Sequence, residues 1–207
     1  MIKDTDYAYS VAYMRTMEAK MLKQADVEAL LQFGDLSDAV RFLEERGYQP
    51  PPEKEKDDDE EEPKVVELGK EEIDEMLGQT LEQVWEDIRS VMPEGAPIDI
   101  LLYQNDFHNM KTILKAVFSK TGWQDLMIGP YTTEPELIYN AVSENAPEEL
   151  PDFLQRAEKK AYEKLAERND GQLAEIVLDK AAFEALKTIA EESESQFLID
   201  WVEMITY

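Results

Sequence analysis

The sequence predicts an all-α protein, and three observations carry that reading. Apolar residues recur at three- and four-residue spacings along most of the 207 residues, the period of one helix face. The period-2 alternation of strands is sustained nowhere over more than a few residues. Between the periodic stretches stand Gly, Pro, Asp and Thr at positions where helices start and stop.

The first helix is expected over 5–23. It is apolar almost all round, which implies burial on several sides. Arg15 and Glu18 are its exceptions, and their spacing lets them pair as an internal ion pair rather than form a ligand site. A short helix near 24–32 ends before Gly34. Asp35 reads as the N-cap of a helix over 36–46 that Gly47 terminates. Residues 49–64 begin Gln-Pro-Pro-Pro, continue through an acidic run and end near Pro63, a composition that cannot build a core. They are expected to form a solvated linker, or else an acidic tail that attracts a basic partner.

Lys70–Val91 forms the next long helix, weakened in its middle by Gly78. Pro93 and Pro97 break the chain before a helix over 98–119. A short stretch, Trp123–Ile128, leads to a turn at Gly129-Pro130. Thr133 and Glu136 match the capping-box pattern T-x-x-E, with Pro135 in the first turn of a helix running to about Ser143. Helices at 152–168 and 172–192 flank an Asn169-Asp170-Gly171 turn, and a last helix starts near Glu194. The long-short-break-short order of 5–46 recurs over roughly 100–143, as internal repeats do. The domain map is therefore a first helical segment at 1–48, an acidic Pro-rich linker at 49–66, a second helical region at 67–193, and 194–207 as the start of a further repeat.

Composition narrows function. The net charge is −26, of which residues 53–62 supply −6, so the acidity is spread over the whole chain. Such a surface disfavours nucleic acid, whose phosphates need clustered Lys and Arg, and disfavours direct binding to anionic lipid. No run of 18 apolar residues exists to span a bilayer. The N-terminal Met1-Ile2-Lys3-Asp4-Thr5-Asp6 lacks the basic-then-apolar pattern of a signal peptide, so a cytoplasmic address is expected. One histidine and no cysteine leave no usual zinc site, and the two Glu-x-x-His pairs of a di-iron bundle are missing. No phosphate-binding glycine loop and no Gly-x-Ser-x-Gly elbow occur. Neither catalytic, cofactor-binding nor metal-binding residues are assigned. The nineteen aromatic residues sit at core spacings.

One polar feature interrupts the aliphatic pattern. On a helix, Leu102, Asp106, Asn109, Ile113 and Val117 share a stripe about 80° wide. A carboxylate and an amide are thereby threaded into an apolar seam, where an unpaired polar group costs about 1–3 kcal/mol. Asp106 and Asn109 therefore form a ligand site, or they tie this helix to backbone ends or to a basic side chain of a neighbouring helix. His108 lies roughly 160° from Asp106 and points elsewhere. Lys111 falls on the opposite face, where it is expected to add little stability but to be available for docking.

The same segment, Asp106-Phe107-His108-Asn109-Met110-Lys111 with Thr112–Ala116, resembles the "D-x-x-N-x-K" helix of the V/A-type ATP synthase (V-type ATPase) C subunit, equivalent to eukaryotic subunit d. Tyr7–Glu18 resembles that family's first helix, with its Arg and Glu three apart at Arg15 and Glu18. Gly171–Phe183 resembles another of its helices, and the three stretches follow the family's order. The resemblance covers nearly the whole chain except residues 50–66. It implies an all-α fold of helical repeats forming a funnel, here incomplete because the chain is shorter than full-length members and appears truncated at Phe197–Tyr207. It implies a non-catalytic rotor subunit that couples the central stalk to the membrane rotor ring and transmits torque between ATP turnover and proton or sodium transport. It places the protein on the cytoplasmic side, peripheral to the cell membrane through the complex, and assigns no cofactor. The alternative is an acidic all-helical scaffold or adaptor in solution, and a metal-carboxylate helical enzyme is a third reading. From composition alone, brief proteolysis is expected to cut first between Gln49 and Val66, and earlier cleavage within 98–119 in a time course read by mass spectrometry would contradict this.

Overall fold

A computed structural model describes residues 3–49, 69–168 and 171–206, and among these residues the regular structure is entirely helical. The nine α-helices are α1 (Ala8–Glu18), α2 (Gln24–Leu30), α3 (Leu36–Glu44), α4 (Lys70–Val91), α5 (Tyr103–Ser119), α6 (Pro135–Glu144), α7 (Asp152–Arg168), α8 (Gly171–Glu192) and α9 (Gln196–Thr206). Single 3-10 turns stand at Asp4–Tyr7, Ile98–Leu101, Gln124–Leu126 and Pro147–Glu149. The chain divides into two compact units, Met1–Ala96 and Pro97–Tyr207. Contacts thus group α4 with the N-terminal helices. The acidic linker expected at 49–66 lies outside the described residues except for Gln49, as do Asn169 and Asp170 of the expected turn. Gly171 belongs to α8.

In the first unit the cap signals act as read. The Asp35 carboxylate accepts from Ser37 N at 2.8 Å, and Gly47 follows α3 with φ +91°, a conformation that favours glycine. Among the described residues the core is small: Val40, Leu43 and Met76, flanked by Leu22, Leu30, Tyr48 and Ile73. Beside it the Arg46 guanidinium lies over the Phe42 ring, 3.3 Å from the centroid, and pairs with Asp26 at 2.8 Å. The Lys23 backbone N–H, and after it this pairing, holds the Asp26 carboxyl below its usual range.

The burial expected of the first helix is not observed. A 3-10 turn replaces its start, and α1 ends at Glu18 rather than residue 23. Only Ser10 is buried, while Tyr9 stands 68 % exposed and Val11 and Met14 are also exposed. The reason is geometric: α1 packs on α4, and one helical neighbour covers only one face. Ser10 Oγ donates to Val91 O at 2.5 Å, and Tyr13 OH donates to Asp87 at 3.3 Å.

The second unit is built around α5, α7 and α8. α7 and α8, joined by a two-residue connection and packed along their length, form an αα-hairpin. Along α8 the buried residues are Ala174, Leu178, Ala182, Leu186 and Ala190, every fourth position alternating small and large. This is a four-residue ridge of the kind that seats in a neighbour's groove. Its first half joins Phe107, Met110, Ile113 and Leu114 of α5, Ile138 and Val142 of α6, and Leu154, Ala157, Ala161 and Leu165 of α7. Its second half meets Ile100, Leu198 and Val202. The predicted 98–119 helix begins five residues late, because residues 98–101 form a 3-10 turn that delivers Ile100 to this second cluster. The expected capping box does not form. The N-cap of α6 is Glu134, one residue after the expected Thr133, whose Oγ1 is buried without a partner.

Gly78 runs through the middle of α4 with nothing within 4 Å of where a Cβ would stand. Gly78→Ala is therefore expected to stabilise the protein by roughly 0.5–1 kcal/mol, read as a higher denaturant midpoint at unchanged slope.

Candidate functional site

The stripe read from the sequence is buried. Leu102, Asp106, Asn109 and Ile113 are fully or almost fully covered, Asp106 and Asn109 with 0 % exposure, and Val117 is half-buried. Their partners are backbone groups of the loop entering α6. Asp106 Oδ1 accepts from Thr132 N at 2.9 Å and Thr133 N at 3.2 Å, and the Thr132 hydroxyl donates to Oδ2. Asn109 clips one residue at two points: its Nδ2 donates to Ile128 O at 3.0 Å, and its Oδ1 accepts from Ile128 N at 2.9 Å. Asn105 Nδ2 donates at 2.7 Å to the carbonyl of Pro130, the proline of the cis Gly129-Pro130 peptide bond. Three side chains on one face of α5 thus hold residues 128–133 in place.

Burial pushes the Asp106 carboxyl above its usual range, against the opposing pull of the hydrogen bonds from Thr132 and Thr133, and Asp99 adds to the rise. His108 is exposed. Among the described residues no three or more His, Cys, Asp or Glu are grouped to hold a metal ion. The arrangement can bind a loop, and all the hydrogen-bonding capacity named above is spent on doing so.

Lys111 is not a free surface residue, contrary to the expectation from its face. Its ammonium pairs with Asp179 of α8, and one turn on, Lys115 pairs with Glu175 at 2.5 Å. The face opposite Asp106 is the one that α8 covers. Arg15 and Glu18 do pair, at 2.6 Å, but with side chains 74 % and 59 % exposed the pair lies on the surface and adds little stability.

A second buried carboxylate, Glu158 of α7, went unread in the sequence. It is 0 % exposed, and neither oxygen has a hydrogen-bond partner. Burial, with a contribution from Glu148, raises its pKa to about 7. The signal was present: position 158 follows Leu154 by four and precedes Ala161 by three, inside the seam of α7. Asn105 could likewise have been found from its place one turn before Asn109.

A model of the ATP synthase (C/AC39) subunit family matches residues 10–205. The chain belongs to that family. The ATP synthase (C/AC39) subunit is a non-catalytic, structural component of the V/A-type ATP synthase, and so of a rotary ATPase complex. No curated protein matches the chain. The matched span includes Arg15, Glu18, Asp106, Asn109, Lys111 and Glu158. Among the described residues of this subunit no helix is long and apolar enough to cross a membrane.

Removing the Asp106 side chain leaves two loop N–H groups and a hydroxyl without their acceptor. Asp106→Ala is expected to destabilise the second unit by about 2–4 kcal/mol, and Lys111→Ala, which breaks a partly exposed pair, by no more than about 1 kcal/mol. Denaturant titration of the intact chain checks both values, and equal losses would overturn this ranking.

Proposed function

We propose that this subunit is the coupling piece of the rotor: it joins the central stalk to the membrane ring and transmits torque between ATP turnover and ion translocation. The observation that carries this reading is the family match over residues 10–205. The physics of the second unit supports it. A joint under torque needs elements that do not yield, and here the loop entering α6 is tied to α5 at five atoms of Asn105, Asp106 and Asn109. Asp106, Asn109 and Lys111 act in this proposal as holding residues, not as a ligand site, and Arg15 and Glu18 are a surface pair of α1.

The partners are stalk and ring proteins, neither nucleic acid nor lipid directly, and the net charge of −26 favours basic protein surfaces. Exposed apolar residues on α1 (Tyr9, Val11) and α9 (Phe197, Met204) offer surface for protein contacts. The working location is the cytoplasmic face, peripheral to the membrane through the complex.

Affinity capture of the tagged chain from detergent-solubilised membranes, with partners identified by mass spectrometry, tests the reading. Joint recovery of stalk and ring components is expected. Recovery of the tagged chain with neither stalk nor ring components would remove the coupling role.

A further inference from the structure

We propose that the unit 97–207 contains a pH-sensitive packing switch, in which Glu158 seals the seam of α7 when protonated and loosens it when ionised. The geometry is specific. Glu158 lies in the row Leu154, Ala157, Ala161 and Leu165, all buried, and its two carboxyl oxygens are covered without a donor or a cation to receive. A protonated carboxyl is tolerated in such a place, whereas a carboxylate without partners is not.

The surrounding charges give no relief. From the 3-10 turn Pro147–Glu149, Glu148 acts on Glu158 and repels its ionised form, while Glu149 is exposed. From α5, Lys111 and Lys115 are engaged by Asp179 and Glu175 of α8, and His108 is exposed. α6 carries its acids, Glu136 and Glu144, exposed. On α7 itself, Asp152, Arg156, Lys159 and Lys160 are exposed. Of all these groups Glu148 alone adds to burial in setting the protonation of Glu158.

The direction follows from linkage. The folded chain holds this proton up to about pH 7, whereas a free glutamate, at 4.5, has released it. Between those values the folded state binds more protons than the unfolded one, so stability falls as pH rises. The full contribution is present below 4.5 and is lost once pH passes about 7. The elements expected to loosen are those touching Glu158, namely α7 and the Pro147–Glu149 turn. Asp106 titrates in the same direction, so the informative quantity is the difference between variants. This switch is a property of the chain alone and does not rest on the coupling role.

The test uses the whole chain between pH 5 and pH 8.5. Thermal midpoints and hydrogen exchange corrected for its intrinsic pH dependence are compared for the wild type, Glu158→Gln and Glu148→Gln. The wild type should lose midpoint through the neutral range, and its 147–165 peptides should open by on the order of a hundredfold more at the alkaline end. Glu158→Gln should flatten most of both changes, and Glu148→Gln should move them to lower pH, because removing a repelling charge lets Glu158 ionise more readily. Carbon-13 titration of the glutamate carboxyls decides the matter if Glu158→Gln fails to fold. A glutamate titrating near neutrality supports the switch, and all carboxyls titrating in the ordinary range, or parallel pH profiles for wild type and Glu158→Gln, overturns it.

Discussion

The packing of the second unit depends on the clamp that α5 places on residues 128–133. A loop that runs against a helix has backbone N–H and C=O groups that water no longer reaches, and each needs a partner. Asn105, Asp106 and Asn109 supply them on one helix face. Aliphatic residues in their place would bury the helix face equally well but leave the loop unsatisfied. The cost of desolvating Asp106 is the counterpart, visible in its raised pKa. With the loop held, α6 starts where Ile138 and Val142 can enter the core.

The other side of α5 is gripped differently. Lys111 and Lys115 reach Asp179 and Glu175 on α8, while the Ala-Leu ridge of α8 supplies the apolar packing. Partly exposed ion pairs add little energy, so this side rests mainly on the ridge. α5 is thus tied to a loop by hydrogen bonds and to a helix by packing. Among the described residues of the first unit the core is smaller: Val40, Leu43 and Met76 are its buried side chains, and much of α1 faces outward.

Much of this was legible in the residues. Helix bounds at 70–91 and 152–168 followed from apolar period and from the Pro and Gly around them, because those signals act within one turn of chain. The buried stripe through Asp106 and Asn109 was legible because a polar pair in an apolar seam is anomalous wherever the helix packs. Its partners were not, since Ile128 and Thr132 lie 19 and 26 residues away and nothing local marks which loop will cross the stripe. Glu158 was hidden by abundance: in a chain with 47 acidic residues, one more glutamate draws no attention until its burial is known.

The sequence by itself determined that the protein is helical, where most helices begin and end, that its surface is acidic, and which family it resembles. The first three follow from period, capping chemistry and composition, all of which are local or additive; the resemblance rests on the motifs at Tyr7–Glu18, Asp106–Lys111 and Gly171–Phe183. Tertiary structure alone decided that the apolar first helix lies largely uncovered, that Lys111 is engaged by Asp179, and that Glu158 is sealed without a partner. Exposure and pairing are properties of what the rest of the chain brings alongside, and a helix carries no record of how many neighbours it will have.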